Sequence, residues 1–439
     1  MSNKVNTTKS KPDGKPAFAP KLRFPEFRNA VGWEEKRFDE VLKPIVRERK
    51  KPNAAYTGLG IRSHGKGAFL KKMEDPNKNA MDFLYEVKRD DLILNITFAW
   101  EGAVAIADLV DDGALVSHRF PTYTFEKGRA SPEFFRYIIL DRRFVYTLGV
   151  ISPGGAGRNR VLSKSDFLKL KVLLPDSEEQ QKIAECLSSA DELIAAQARK
   201  LDALKTHKKG LMQQLFPRED ETQPRLRFPE FRNAGDWKEV PLSELVESLD
   251  AGVSVNSGDR PAKDNEIGVL KTSAVTKGIF VPQENKVVFD QTEVGRVKEP
   301  VRGDTIIISR MNTPALVGAN AYVDSDLANI FLPDRLWAAK SKPGTSMRFV
   351  ALVLGSDKGR GVLSKLAKGS SGSMKNITKP DVLAFLFMTP SSAEQKRIAD
   401  CVAFFDNLIG AQAQKVEALS THKKGLMQRL FPSPEEVKA

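Results

Sequence analysis

Along two stretches of this chain the covered-looking positions recur alternately every fourth and third residue. Ile183, Leu187, Ala190, Ile194, Gln197, Leu201, Leu204, Lys208, Leu211 and Leu215 make the first series. Ile398, Val402, Phe405, Ile409, Gln412, Val416, Leu419, Lys423, Leu426 and Leu430 make the second. A mean spacing of 3.5 residues is a coiled-coil seam, so the pattern predicts two long helices, over 176–217 and 391–432. Each is expected to open with a capping box, Ser177–Gln180 and Ser392–Gln395, and each ends at a Phe-Pro pair. A helix of this length is about 60 Å long, more than a small domain can cover, so most of the stripe needs another long helix. The obvious partner is its own equivalent. Gln197/Gln412 and Lys208/Lys423 interrupt the seam at matching places, which weakens a coil but penalises slipped registers.

Elsewhere the pattern is of short apolar runs separated by turns. Asp91–Phe98, Gly102–Ala107 and Val172–Leu174 read as strands and Phe134–Leu140 as a helix. The second half repeats the order, with strands at Gly303–Ser309 and Gly318–Val323 and a helix at Met347–Leu354. The mixture predicts an α+β (α/β-like) fold: two globules with twisted sheets, over 21–175 and 225–390, alternating with the two helices. Residues 1–20 and 433–439 read as polar tails and 218–224 as a linker.

The order repeats because the chain is an internal tandem duplication. Leu22–Ala30 recurs letter for letter at Leu226–Ala234, followed in each copy by a tryptophan, Trp33 and Trp237. Glu179–Pro217 aligns without a gap on Glu394–Pro432, with 25 of 39 positions identical. Matching ends and divergent middles suggest one framework carrying two distinct binding specificities.

Composition narrows the setting. Cys186 and Cys401 are equivalent positions of the repeat, which argues for a reducing, cytoplasmic compartment and against a disulfide framework. The lysine-rich start lacks the apolar core of a signal peptide, and no run is long enough for a membrane span. Four scattered histidines (64, 118, 207, 422) offer no metal cluster. A net charge of +13 favours a polyanionic partner.

Two variable globules, two repeated helices ending in Lys-Lys-Gly-Leu-Met-Gln, and a Leu-Arg-Phe-Pro-Glu-Phe lead-in resemble the specificity (S) subunits of type I restriction–modification enzymes. The resemblance runs from about Lys21 to Pro432. It implies two target-recognition domains, each reading one half of an asymmetric, split double-stranded DNA site. It also implies antiparallel helices that set the spacing and dock two modification (methyltransferase) subunits, which restriction (motor and nuclease) subunits join. On that reading the chain is no enzyme and binds no cofactor itself, S-adenosylmethionine, ATP and Mg being used by the partner subunits. The residues agree. The sequence has no Pro-Pro pair, so the Asn/Asp-Pro-Pro-aromatic loop of an amino-methyltransferase is missing. Gly60–Gly67 has glycine where a phosphate-binding loop needs Ser or Thr. The other reading is a coiled-coil adaptor with two protein-binding globules.

Basic, glycine-rich loops at matching places supply the candidate DNA contacts. Gly154–Arg160, with Arg158, Asn159 and Arg160, precedes a Ser163–Asp166 cap. Lys368–Asn376, with Lys368, Lys375 and Asn376, precedes Thr378–Asp381 at the same offset. Glycines let backbone approach phosphates, cations neutralise them, and arginine or asparagine reads guanine or adenine edges. A second set is Arg62, Ser63 and Lys66 with Lys271, Thr272 and Ser273, and a third is Ser309, Arg310 and Asn312.

Overall fold

The computed structural model describes residues 18–154, 160–368 and 374–432. The expected tails fall almost wholly outside them. Two compact units divide the chain. Unit 1 takes residues 1–198 together with 414–439, and unit 2 takes 199–413.

The centre of unit 1 is a four-stranded antiparallel sheet. Its strands are β1 (Leu42–Ile45), β2 (Leu92–Leu94), β3 (Val104–Ile106) and β4 (Thr122–Phe125), in the spatial order β1-β4-β2-β3. Helices α1 (Pro132–Ile138) and α2 (Arg142–Val150) follow the sheet. A five-stranded sheet that includes the hairpin Tyr56–Ile61/Ala68–Met73 completes the globule. The strand expected over Asp91–Phe98 stops at Leu94. The Asn95 side chain accepts from Thr97 N–H and its carbonyl from Phe98 N–H, so the chain turns there.

The corresponding sheet of unit 2 has β5 (Val246–Ala251), β6 (Thr305–Ser309), β8 (Asn320–Val323) and β9 (Leu336–Ser341), with the short strand β7 (Met311–Asn312) between β6 and β8 in sequence. Its order, β5-β9-β6-β8, is the order of unit 1, again antiparallel throughout. The middles that share almost no letters therefore share the topology of their central sheet. Strand β10 (Lys375–Asn376) pairs with β7 in a separate ribbon.

Both long helices form as expected, α3 over Ser177–Leu215 and α6 over Ser392–Leu430; between them in sequence lie α4 (Met347–Gly355) and α5 (Asp357–Lys365). Every one of the twenty seam positions is buried or half-buried. Within unit 1, Leu430 shares a core with Ile183 and Leu187, and Lys423 Nζ donates to Asp191 Oδ1, so the two helix segments run antiparallel. Unit 2 repeats the arrangement, with Leu215 against Ile398 and Lys208 donating to Asp406. No helix among the described residues is long and apolar enough to cross a membrane.

The expected capping boxes are corrected. Asp176 Oδ1 accepts from Glu179 N–H, and Ser391 Oγ from Glu394 N–H, so each cap sits one residue earlier than predicted. This shift frees Gln180 and Gln395, both buried, for another role. Gln180 accepts from the Ser131 N–H and donates to the Arg129 and Pro175 carbonyls. Gln395 accepts from Ser346 N–H and donates to Thr389 Oγ1 and the Pro390 carbonyl. Ser131 and Ser346 are the N-caps of α1 and α4, so these glutamines fasten each long helix to its globule.

The repeated motifs meet in space. Trp33, Phe134 and Phe431 form one aromatic cluster, with ring centroids 5.3–5.8 Å apart. Trp237, Phe349 and Phe216 form its equivalent, at 5.5–5.9 Å. The arginine of each Leu-Arg-Phe-Pro motif closes the joint. Arg23 makes a two-pronged pair with Glu179, as Arg227 does with Glu394, and all four side chains are at least nine-tenths covered.

Candidate nucleic-acid interface

At the end of its central strand each unit joins three segments by the same two backbone hydrogen bonds. In unit 1, Ile96 N–H donates to the Arg119 carbonyl at 3.0 Å, and the Ile96 carbonyl accepts from Leu162 N–H at 2.8 Å. In unit 2, Arg310 N–H donates to the Arg335 carbonyl at 3.0 Å, and the Arg310 carbonyl accepts from Ile377 N–H at 2.9 Å. Ile377 directly follows its glycine-rich loop, and Leu162 follows the other after Val161. The junction is common framework, whereas the side chains it displays differ.

In unit 1 the junction gathers Arg160 of the glycine-rich loop and the set of Arg62, Ser63 and Lys66. Arg160 lies over the Trp100 ring at 5.3 Å and donates to the carbonyls of Ser152 and Gly149, so much of its fork caps the end of α2. Ser63 Oγ donates to Glu101 Oε2 at 2.7 Å, and His64 and Gly65 N–H groups donate to the Glu101 and Gly102 carbonyls. Gly65 has a φ of +65°, and a Cβ there would come 2.8 Å from Leu140, so this turn needs glycine. The docked turn carries exposed Arg62, stacked on Phe69 at 4.7 Å, and exposed Lys66. Gly60–Gly67, the near miss for a phosphate loop, is thus the end of one strand and the turn of a hairpin. Arg158 and Asn159 lie outside the described residues.

In unit 2 the ribbon pairs Met311 with Asn376 and Asn312 with Lys375, bringing the third predicted set onto the glycine-rich loop set. Arg310 lies over the Trp337 ring at 5.9 Å. Asn312 Nδ2 donates to Ser309 Oγ at 3.3 Å. Lys368 pairs with Asp381 at 2.9 Å, and with the Thr378 hydroxyl it holds that carboxyl below its usual range. Lys271, Ser273 and Thr272 lie elsewhere, beside Glu284. The Ser273 hydroxyl, and then the Lys271 charge 3.7 Å away, hold the Glu284 carboxyl low. A lysine already matched to a carboxylate has less charge to offer a phosphate. Lys286, two residues on from Glu284, pairs with Asp259 at 3.3 Å. No group of three or more metal-ligating side chains occurs among the described residues.

The sequence reading missed Arg119 and Arg335. Both are exposed, and their carbonyls hold equivalent rungs of the junction. The available signal was slight: a lone arginine shortly before the strand that follows in each half.

The model of the type I restriction modification DNA specificity domain matches this chain twice, over residues 30–206 and 234–420. The chain belongs to that family. Both matches include a globule and most of the long helix after it, as the duplication requires. The type I restriction enzyme MjaVIII specificity subunit of Methanocaldococcus jannaschii is 26% identical over 286 residues, covering 63% of this chain and 65% of that protein. The match thus spans just under two thirds of that relative's length. The putative MjaX specificity subunit of the same organism is 24% identical over 322 residues, covering 71% of this chain and 70% of that protein. In fold, the chain resembles the crystal structure of a type I restriction–modification S subunit from M. genitalium, with a TM-score of 0.58 at 15% identity. That likeness covers 95% of this chain and all of the other.

Proposed function

We propose that this family member is the DNA-reading specificity subunit of a type I restriction–modification complex, and that each unit reads one half of a split, asymmetric double-stranded site. The observation that carries the reading is the junction present in both units. One backbone frame, Ile96/Arg119/Leu162 and Arg310/Arg335/Ile377, displays different side chains in each. A shared frame with different displays is what two related readers of two different sequences require. Arg119, Arg335, Arg62 and Lys66 supply exposed cations for the phosphates that hold such a reader in register.

On this reading the helices α3 and α6 set the spacer and dock two modification subunits, and restriction subunits join through that core. The chain performs no chemistry. S-adenosylmethionine, ATP and Mg serve the partner subunits, and the chain's contribution is to choose where adenine is methylated. The site of action is the cytoplasm, where the genome is. A methylome of the host with and without an in-frame deletion of this gene tests the proposal. Loss of one split adenine-methylation motif is the expected result. An unchanged methylome, or methyl transfer by the purified chain alone, overturns it.

A further inference from the structure

We infer that Arg310 is a base-reading arginine of unit 2 and selects a guanine at one position of the half-site that unit 2 contacts; this rests on the DNA-reading function proposed above. Arg310 follows directly on β6, the central strand. Its backbone is held on both sides, by the Arg335 carbonyl and by Ile377 N–H. Its guanidinium lies over the ring of Trp337, a side chain only 2% exposed, so the tryptophan is a fixed platform. Main chain and side chain are therefore both oriented before any ligand arrives.

The fork is unspent. Arg310 Nη1 and Nη2 make no hydrogen bond or ion pair among the described residues, while Nε is closed off from solvent and also lacks a partner there, so the two terminal nitrogens are what the fork has left to offer. Asn376 Oδ1, across the β7/β10 ribbon, is likewise buried without a partner. Native structures rarely leave such groups unsatisfied, and a charged one least of all. Arg160 of unit 1 is the informative contrast. It also stacks on a tryptophan, but it gives Nε and Nη2 to its own backbone. Stacking alone is thus common to both units, and the free fork distinguishes Arg310.

A guanidinium fork suits two acceptors side by side, which guanine offers as O6 and N7 and a phosphate offers as two oxygens. The observations favour guanine. Arg310 is half-buried and immobilised, whereas its neighbour Arg335, on the same rung, is exposed and suited to the backbone. Phosphate contacts position a protein on the duplex while base-edge contacts carry the sequence information, and a guanidinium held in place at the end of the central strand suits the second task.

The test uses the complex as the host makes it. With Arg310→Gln, discrimination for guanine at one position of one half-site should fall about tenfold to a hundredfold, with adenine gaining, because glutamine matches adenine N6 and N7. The other half-site should be unchanged in the methylome. An unaltered motif, or uniform weakening on all sequences, overturns the assignment, the latter marking a phosphate contact. A wild-type host in which no motif depends on this chain defeats the DNA-reading proposal instead. Interference by N7-methylguanine, measured with the wild-type complex, guards against a variant that fails to fold. Interference at a guanine in the half-site read by unit 2 is the expected outcome, and its absence from that half-site overturns the inference.

Discussion

Leu22 N–H donates to the carbonyl of Arg429 at 2.9 Å, so the beginning of the chain is hydrogen-bonded to the end of its last helix. In the second copy the same bond is local: Leu226 N–H donates to the Gln214 carbonyl, also at 2.9 Å. Unit 1 is thus closed by residues from both ends of the chain, and unit 2 by a continuous stretch.

A first consequence concerns Leu430, which is 1% exposed in the core of unit 1. Leu430→Ala should cost about 2–5 kcal/mol through lost burial and the cavity left behind. Amide hydrogen exchange should show the loss in the core strands of unit 1, more than 300 residues away in sequence, with unit 2 protected as before. Equal loss in both units would contradict this assignment of α6.

The Arg227–Glu394 pair tests the joint itself. Breaking a buried, two-pronged pair from one side strands the other charge, so Arg227→Ala and Glu394→Ala should each cost about 3–5 kcal/mol. Arg227→Met with Glu394→Leu should recover most of that loss, because no charge is left unpaired. Urea unfolding of the three variants measures this, and single variants within 1 kcal/mol of wild type would show that the pair is not closed off as described.

Gln395→Ala should leave the Ser346 N–H and the Pro390 carbonyl without their side-chain partner. Orphaned buried groups cost about 1–3 kcal/mol each, so a loss of about 2 kcal/mol or more in urea unfolding is expected. Gln395→Glu should lose at least as much, since a buried carboxylate still accepts from Ser346 but has no proton for the Pro390 carbonyl and the Thr389 hydroxyl. A harmless Gln395→Ala would return this residue to the ordinary capping role that its spacing suggested.

How much of this was legible beforehand depended on whether the physics was local. The seam was legible residue by residue, because a period of 3.5 belongs to one helix and needs no knowledge of its neighbours. The cap was misread by one residue because Asp176 is as good a cap as Ser177: its carboxylate takes the Glu179 N–H and its carbonyl the Gln180 N–H that Ser177 would have capped, and only burial reveals that Gln180 points into the globule. Trp33 and Phe431 stood out as repeated letters, yet their contact spans almost the whole chain and no periodicity encodes it. Among the DNA candidates, Arg310 and Asn312 were found from the strand end and Lys375 and Asn376 from the loop, but the ribbon joining them is long-range. Arg119 and Arg335 had no composition signal around them.

Those two arginines make a prediction distinct from that for Arg310. Exposed cations that meet phosphate should weaken binding alike on all sequences. Arg119→Ala and Arg335→Ala should each lower the slope of log affinity against log salt by about 1 and leave the methylated motif intact. Binding of duplex DNA by the purified complex across a salt series measures the slope, and a change of motif in either variant would contradict a backbone role.

Two independent readers sharing one frame are tested most directly by domain exchange in the host. Residues 31–175 are replaced by the corresponding globule of another family member, leaving Arg23, Glu179, Gln180 and both long helices in place. The methylome should then keep one half of the split motif and the spacer length and change only the other half. A motif altered in both halves, or unaltered in both, would contradict two independent readers.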